Sequence, residues 1–469
     1  MEEVGSIRCE GAEEINHICF QDDNTWILAD NGIWVFKDGT VCRMDTGDYT
    51  SSIERMAVEM GRRRTMNKEK GSLLWVVLSA FLSIALFFAV HRVITENAHG
   101  RDFVQVGVVL DGDESTPYNA NFFRATEALD LQYGEHVSII IRSNVPYEET
   151  VAVLRGLCEE GCDIIFTTSY GYGEPAKRMA EEYPEVEFCE ATCDNANEEP
   201  IRKNFHTFMG EIYQGRYVAG MIAGLKMQEM IDAGQIAEDE AWIGYVGAFP
   251  YAEVISGYTA FFLGARQTCP TAMMRVKYTN TWTSYALEKE YAKELIGEGC
   301  VIISQHSDTI GPAVECENAD AGHPVYHVGY NQDMIDVAPT TSLIGTRIDW
   351  SPYFCSAVGA VLHEKRIEDA IPGNIHGNDV GGGFREGWVK MLELNPAIAL
   401  AGSEELIQRT IEDIQAGRCH VFSGEYLGVN PDDPDDTWDL NTEYQENANA
   451  SAPSFYYILQ NVILVEQKY

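Results

Sequence analysis

Eleven side chains between Asp111 and Arg347 are of types that hold a small polar molecule, and most fall where a strand is expected to end. Tyr118, Tyr170, Phe249 and Trp282 offer ring faces for stacking on a flat ligand. Asp111 closes the first expected strand and Asp333 lies in the turn GYNQD; a carboxylate there accepts from ring N–H, amine or hydroxyl donors. Asn119 both donates and accepts, and Gln305, His306 and Asp308 follow another strand directly. Each has a plain alternative: the rings as core, the polar groups as turn caps, and Arg347 as half of an ion pair across a hinge.

Catalytic signatures are missing. There is no GxxxxGK[ST] phosphate loop and no HExxH, and TTSYG (167–171) lacks the first glycine of a GxSxG elbow. The glycine-rich GNDVGGGFREG (377–387) reads as a turn, and the acidic NPDDPDDTWD (430–439) as a solvated loop without EF-hand spacing. No catalytic residue, cofactor or metal is expected. Cys158/Cys162 and Cys189/Cys193 are CxxxC pairs; disulfides in an oxidising compartment, buried thiols in a reducing one and, more weakly, zinc all remain open.

The elements that must position these residues follow a regular plan. Strands are expected at 104–110, 136–141, 163–167, 186–189, 241–246, 273–278, 301–304 and 325–328. Amphipathic helices are expected between them, at 121–131, 147–160, 176–182, 213–233, 254–266 and 283–297, with two more at 353–364 and 404–416. Continuous apolar strands alternating with helices mean parallel sheets covered on both faces. The long helix at 213–233 divides two such series. The fold class is therefore α/β, with two doubly wound parallel-sheet lobes around a hinge. Lobe 1 covers 103–238 and lobe 2 covers 239–335, each taking parts of 336–469, and the ligand is expected at the carboxyl ends of the strands. The tail 424–445 reads as irregular and acidic.

Before this body stands GSLLWVVLSAFLSIALFFAV (71–90), preceded by Arg62, Arg63, Arg64, Lys68 and Lys70. About 20 apolar residues suffice to cross a bilayer as a helix, and the basic flank favours the cytoplasmic side. The expectation is a cytoplasmic head over 1–65, a transmembrane anchor over 71–93 and an extracellular body, single-pass in the cell membrane. A start at Met66 would instead leave an ordinary export signal. In the head, NTWILADNGIWVFKDGTVCRMD (24–45) reads as hairpin strands, similar to part of one blade of the propellers in two-component regulators. The net charge of −40 over 469 residues argues against nucleic acid or anionic lipid as partners.

Six ordered blocks carry a family resemblance. They are VGVVLDGDESTPYNANFFRATEAL (106–129), DIIFTTSYGYGEPAKRMAEEYPEVEF (163–188), GEIYQGRYVAGMIAGL (210–225), IGYVGAFPYAEVISGYTAFFLGAR (243–266), the stretch 280–319 and the stretch 329–354. Together they resemble the basic membrane protein (Bmp) family of solute-binding proteins. The resemblance implies a type I periplasmic-binding fold that closes on a ligand and delivers it to the permease and ATPase of an ABC importer. It implies a purine nucleoside or base as ligand, and ligand contact for Asp111, Tyr118 and Asn119. The chain departs from the pattern at GYGE (171–174), where many members carry an Asp, and at Arg347, where they often carry a Lys. A sensor reporting through the helix and head is the alternative.

Overall fold

The computed structural model describes the strand segments 15–21, 24–29, 32–37 and 40–44 and residues 100–466. The chain divides into two units, Met1–Glu96 and Asn97–Tyr469. In the first, β1 (Ile15–Gln21), β2 (Asn24–Ala29), β3 (Gly32–Lys37) and β4 (Thr40–Met44) form an antiparallel meander in chain order. Successive strands are two residues apart, the spacing of tight hairpins. The span expected over 71–93 lies outside the described residues; among those described, no helix is long and apolar enough to cross a membrane.

The second unit opens with the expected strand–helix alternation: β5 (Val104–Val109), α1 (Pro117–Tyr133), β6 (Val137–Arg142), α2 (Thr150–Glu159), β7 (Ile164–Thr167), α3 (Gly173–Glu182), β8 (Glu187–Ala191) and β9 (Phe205–Gly210). The long helix α4 (Tyr213–Asp232) leads to β10 (Trp242–Gly247), α5 (Ala252–Thr268), β11 (Met273–Tyr278), α6 (Tyr285–Gly297), β12 (Cys300–His306), α7 (Gly311–Asn318), β13 (Tyr326–Tyr330) and β14 (Ser342–Ile348). Then come α8 (Ser351–Leu362), α9 (Ile367–Ala370), β15 (Asn374–His376), β16 (Asp379–Gly382), β17 (Val389–Met391), α10 (Ser403–Gln415), β18 (Leu427–Val429), β19 (Thr437–Asp439), β20 (Ile458–Leu459) and β21 (Ile463–Glu466).

Two seven-stranded sheets result. The first has the order β15-β16-β9-β8-β7-β5-β6 and the second β17-β14-β13-β12-β10-β11-β21. Each is parallel except for one antiparallel edge pair, β15–β16 and β14–β17. The chain passes between sheets through α4, after β14 and again between β16 and β17. Lobe 1 shows why its strands are apolar throughout. Val106, Val108 and Phe166 face a core shared with Phe122 of α1 and Phe354 of α8. Val109 and Ile165 face the opposite core, with Leu154 and Met179. Side chains alternate across a strand, so helices on both faces demand apolar residues at every position.

In α4 most residues are buried, because it runs against α5. The backbones approach so closely that a Cβ at Gly220 would lie 2.0 Å from the Phe261 carbonyl oxygen. Only glycine permits that contact.

Several expectations need correction. The glycine-rich 377–387 is a strand before it is a turn: β16 pairs in parallel with β9. Small residues conceal it, since Gly382 is packed under Trp388 and has no room for a side chain. The segments β9, β14, β17 and β21 also went unread, being short or mixed in polarity. The tail is more ordered than its acidity suggests, with β18, β19 and β20 forming a three-stranded sheet. The nine cysteines of residues 100–466 are free thiols. Burial pushes Cys158 up to about 12 and Cys162 up to about 11.

Candidate functional site

A cavity of about 700 Å³ opens where the two sheets end. Its wall is built from residues just beyond the carboxyl ends of strands in both lobes. Asp111 follows β5, Tyr170 follows β7, Asp194 follows β8, Phe249 follows β10, Trp282 follows β11 and Asp308 follows β12. Parallel strands bring their carboxyl ends to one edge, so sequence-distant loops converge there. Left-handed backbone at Thr192 and Asn331 turns the chain sharply off β8 and β13, and both residues line the cavity.

Lobe 2 supplies a ring cluster. Phe249 and Tyr251 stack with centroids 5.0 Å apart at 10°, and Trp282 tilts against Phe249 at 5.7 Å. Tyr251 remains 53 % exposed, so its face is open to the cavity. Lobe 1 answers with Tyr118, whose hydroxyl donates to the Thr168 carbonyl at 2.5 Å, and Tyr147, paired with the Ser169 hydroxyl at 2.8 Å. Tethered hydroxyls fix the planes of those rings.

The polar wall is acidic. Asp111, Asp194, Glu253 and Asp308 line it, and among the described residues no Lys, Arg or His does. Asp308 is 7 % exposed, and its Oδ1 has no hydrogen-bond partner. Burial, then Glu288, Asp111 and Glu253, push its carboxyl well above the ordinary range. A buried polar atom without a partner is costly, about 1–3 kcal/mol, so Asp308 is left with an unused hydrogen-bonding position at the cavity. A phosphate would meet four acids and no cation.

Six of the eleven anticipated residues meet on this wall: Asp111, Tyr118, Tyr170, Phe249, Trp282 and Asp308. The other five do not line it. Asn119 sits behind it, donating to Asp111 at 3.2 Å. Gln305 is wholly buried and donates to the Ser307 and Thr309 carbonyls, so it shapes the turn that carries Asp308. His306 is also buried, 3.4 Å from Glu253 and with its ring 4.2 Å from Tyr330. Both end β12 with their side chains directed into the sheet's covering layers. Asp333 is exposed and caps the Ile335 amide at 2.9 Å, so the turn uses the carboxylate that a ligand would need. Arg347 is half-buried on β14, its guanidinium lowered by burial and by Arg124.

Residues that escaped notice include Tyr147, Tyr251, Glu253, Tyr330 and Tyr456. Tyr251 and Glu253 lie in the same FPYAE turn as Phe249, and Tyr330 ends a strand that was expected, so local signals existed. Tyr456 had none, since it comes from the far end of the chain.

The comparisons with known proteins agree with this architecture. The family model for the Bmp proteins, described as ABC transporter substrate-binding protein PnrA-like, matches residues 103–415. A purine-binding protein of Brucella abortus is 29% identical over 332 residues, covering 70% of this chain and 85% of that one. A putative ABC transporter glucose-binding protein of Haloferax volcanii is 31% identical over 303 residues, covering 64% and 71%. Among solved structures, an ABC transporter solute-binding protein from Aeropyrum pernix K1 has the same fold, with a TM-score of 0.54 at 16% identity over 71% of this chain and 95% of that one. The family model spans two thirds of the chain, which therefore belongs to the Bmp family of ABC transporter substrate-binding proteins.

Proposed function

We propose that this extracellular solute-binding protein captures a purine nucleoside or base and presents it to an ABC importer while tethered to the membrane through residues 71–93. The observation that carries the ligand reading is the composition of the cavity wall: eight aromatic rings and four carboxyl groups, with no basic side chain among the described residues. A purine has two π-faces for the rings and N–H or ribose O–H donors for the acids. Stacking of a base on an aromatic contributes roughly 1–3 kcal/mol. The absence of a cation on the wall favours the uncharged nucleoside or base over the nucleotide, whose phosphate would find no positive partner there. The purine-binding relative supports the same reading.

A hexose is the second reading, favoured by the description of the Haloferax relative. Carboxylates and rings also suit sugar hydroxyls and C–H faces. A thermal-shift screen of adenosine, guanosine, hypoxanthine, adenosine monophosphate and D-glucose separates the two. At 100 times its Kd a ligand adds about 2.7 kcal/mol of stability. Stabilisation by a nucleoside or base and not by glucose supports the purine reading; stabilisation by glucose alone overturns it. Tethering is tested by protease added to wall-stripped cells. The body should be digested and residues 1–65 spared.

A further inference from the structure

The segment 446–456 lies beyond the family-matched residues and touches both lobes. On lobe 1, the wholly buried Ser451 donates its amide and hydroxyl to the Asp379 carboxylate at 2.5 and 2.6 Å. The Asn447 carbonyl accepts from Asn374 Nδ2 at 3.0 Å. On lobe 2, Phe455 is wholly buried in the core, and Ser256 Oγ donates to Glu446 at 2.7 Å. Glu446 in turn accepts from the Phe455 amide at 2.8 Å. Asn447, with φ of 58°, holds the bend by donating to the Ser451 carbonyl at 2.6 Å.

Ala452 and Pro453, between the two anchors, and Tyr456, just past the second, form part of the cavity wall. The Tyr456 hydroxyl donates to Asp432 at 2.8 Å, which fixes the ring from the outside. Ser451 and Phe455 are four residues apart, so their Cα atoms separate by at most about 14 Å. The lobes cannot part further at this edge while both anchors hold.

We propose that 446–456 is a strap across the cavity mouth, that Tyr456 is a specificity-determining residue, and that ligand exchange requires Ser451 to leave Asp379. This deepens the proposed function and rests on the cavity being the ligand site. The strap gives the pocket a wall that belongs to neither sheet. It also makes exchange slow, because opening must break hydrogen bonds to a buried carboxylate.

The test uses the full-length chain, with adenosine as probe. Calorimetry gives affinity, Trp fluorescence in stopped flow gives the rates, and amide hydrogen exchange over 447–455 reports the strap without ligand. Tyr456→Ala should weaken adenosine at least fivefold. The double variant Ser451→Ala with Asn374→Ala, which leaves Asp379 in place, should raise the dissociation rate at least threefold and speed exchange over 447–455 at least tenfold. Asp379→Asn should act in the same direction. Unchanged affinity in Tyr456→Ala overturns the specificity role, and unchanged exchange and dissociation in the double variant overturn the strap. If wild type binds no adenosine, the purine reading fails, and hydrogen exchange alone decides the strap. Fast exchange over 447–455 in wild type would then refute it.

Discussion

The two lobes bury histidine in opposite ways. In lobe 1, His206 is held between Glu187, at 2.8 Å, and the buried Glu368. Burial disfavours its charge, but the two carboxylates outweigh it and raise the imidazole to about 8. In lobe 2, His327 is buried with Gln305 as hydrogen-bond partner at 3.1 Å, and burial with Arg216 nearby drives it down to about 3. His306, beside the cavity, is lowered by burial too, although Glu253 opposes the shift. Lobe 1 thus holds a charged cluster that does not line the cavity. Lobe 2 holds His306 and His327 toward the neutral form, on the side of the molecule that carries the ring cluster. Arg216, buried against the same lobe, donates to the Gly329 carbonyl at 3.0 Å and lies 5.6 Å from the Tyr330 ring, so this cation sits behind the wall and not on it.

The largest effect is expected from His206→Leu, which leaves the buried Glu368 with the Arg366 ion pair at 2.7 Å but without its imidazole partner. Stranding one member of a buried pair costs about 3–5 kcal/mol, and with Arg366 still in place chemical denaturation should show a loss no larger than the lower end of that range, about 3 kcal/mol. The matching change His327→Leu removes a neutral ring, and its loss should be clearly smaller.

Next comes pH. His206 has a folded value above the ordinary 6.5, so its stabilisation is complete below 6.5 and is lost as pH rises through 8. One and a half units correspond to roughly 2 kcal/mol. For His327 the sign is reversed: its contribution is present above 6.5 and is lost as pH falls toward 3. Hydrogen exchange should therefore show lobe 1 loosening first at alkaline pH. Lobe 2 should loosen first on acidification. The same order on both sides would undo the contrast.

On the ligand side, Trp282→Ala should weaken purine binding by about 1–3 kcal/mol with little change in melting temperature. Asp333→Ala should leave affinity unchanged, because that carboxylate caps its own turn at an exposed site. Equal losses from these two substitutions, measured by calorimetry, would mean that the site lies elsewhere.

Much of this was legible in the sequence where one strand and the turn after it are local. Asp111, Tyr170, Phe249, Trp282 and Asp308 stand just past the ends of apolar runs, and parallel pairing carries them to a common edge. What was not legible depends on orientation or distance. Gln305 and His306 neighbour Asp308 in the chain, yet a strand points successive side chains to opposite faces, and the turn directs only Asp308 into the cavity. Asp333 looked available because a turn motif does not reveal which amide its carboxylate caps. The strand β16 is hidden because it ends in glycines, one of which, Gly382, has only the room left by Trp388. Tyr456 lines the cavity from a segment held by the buried Phe455 and by the pairing of β20 with β18, contacts that no local pattern encodes.

The central claim is that the cavity between the lobes takes an uncharged purine on its ring wall. Calorimetry of adenosine and adenosine monophosphate, each against wild type and Trp282→Ala, tests it most directly. Adenosine should bind wild type with a Kd in the micromolar range or tighter, about −8 kcal/mol or better, lose at least fivefold in Trp282→Ala, and be preferred to its monophosphate at least tenfold. Monophosphate binding as tightly as adenosine, or Trp282→Ala binding adenosine as well as wild type does, would contradict it.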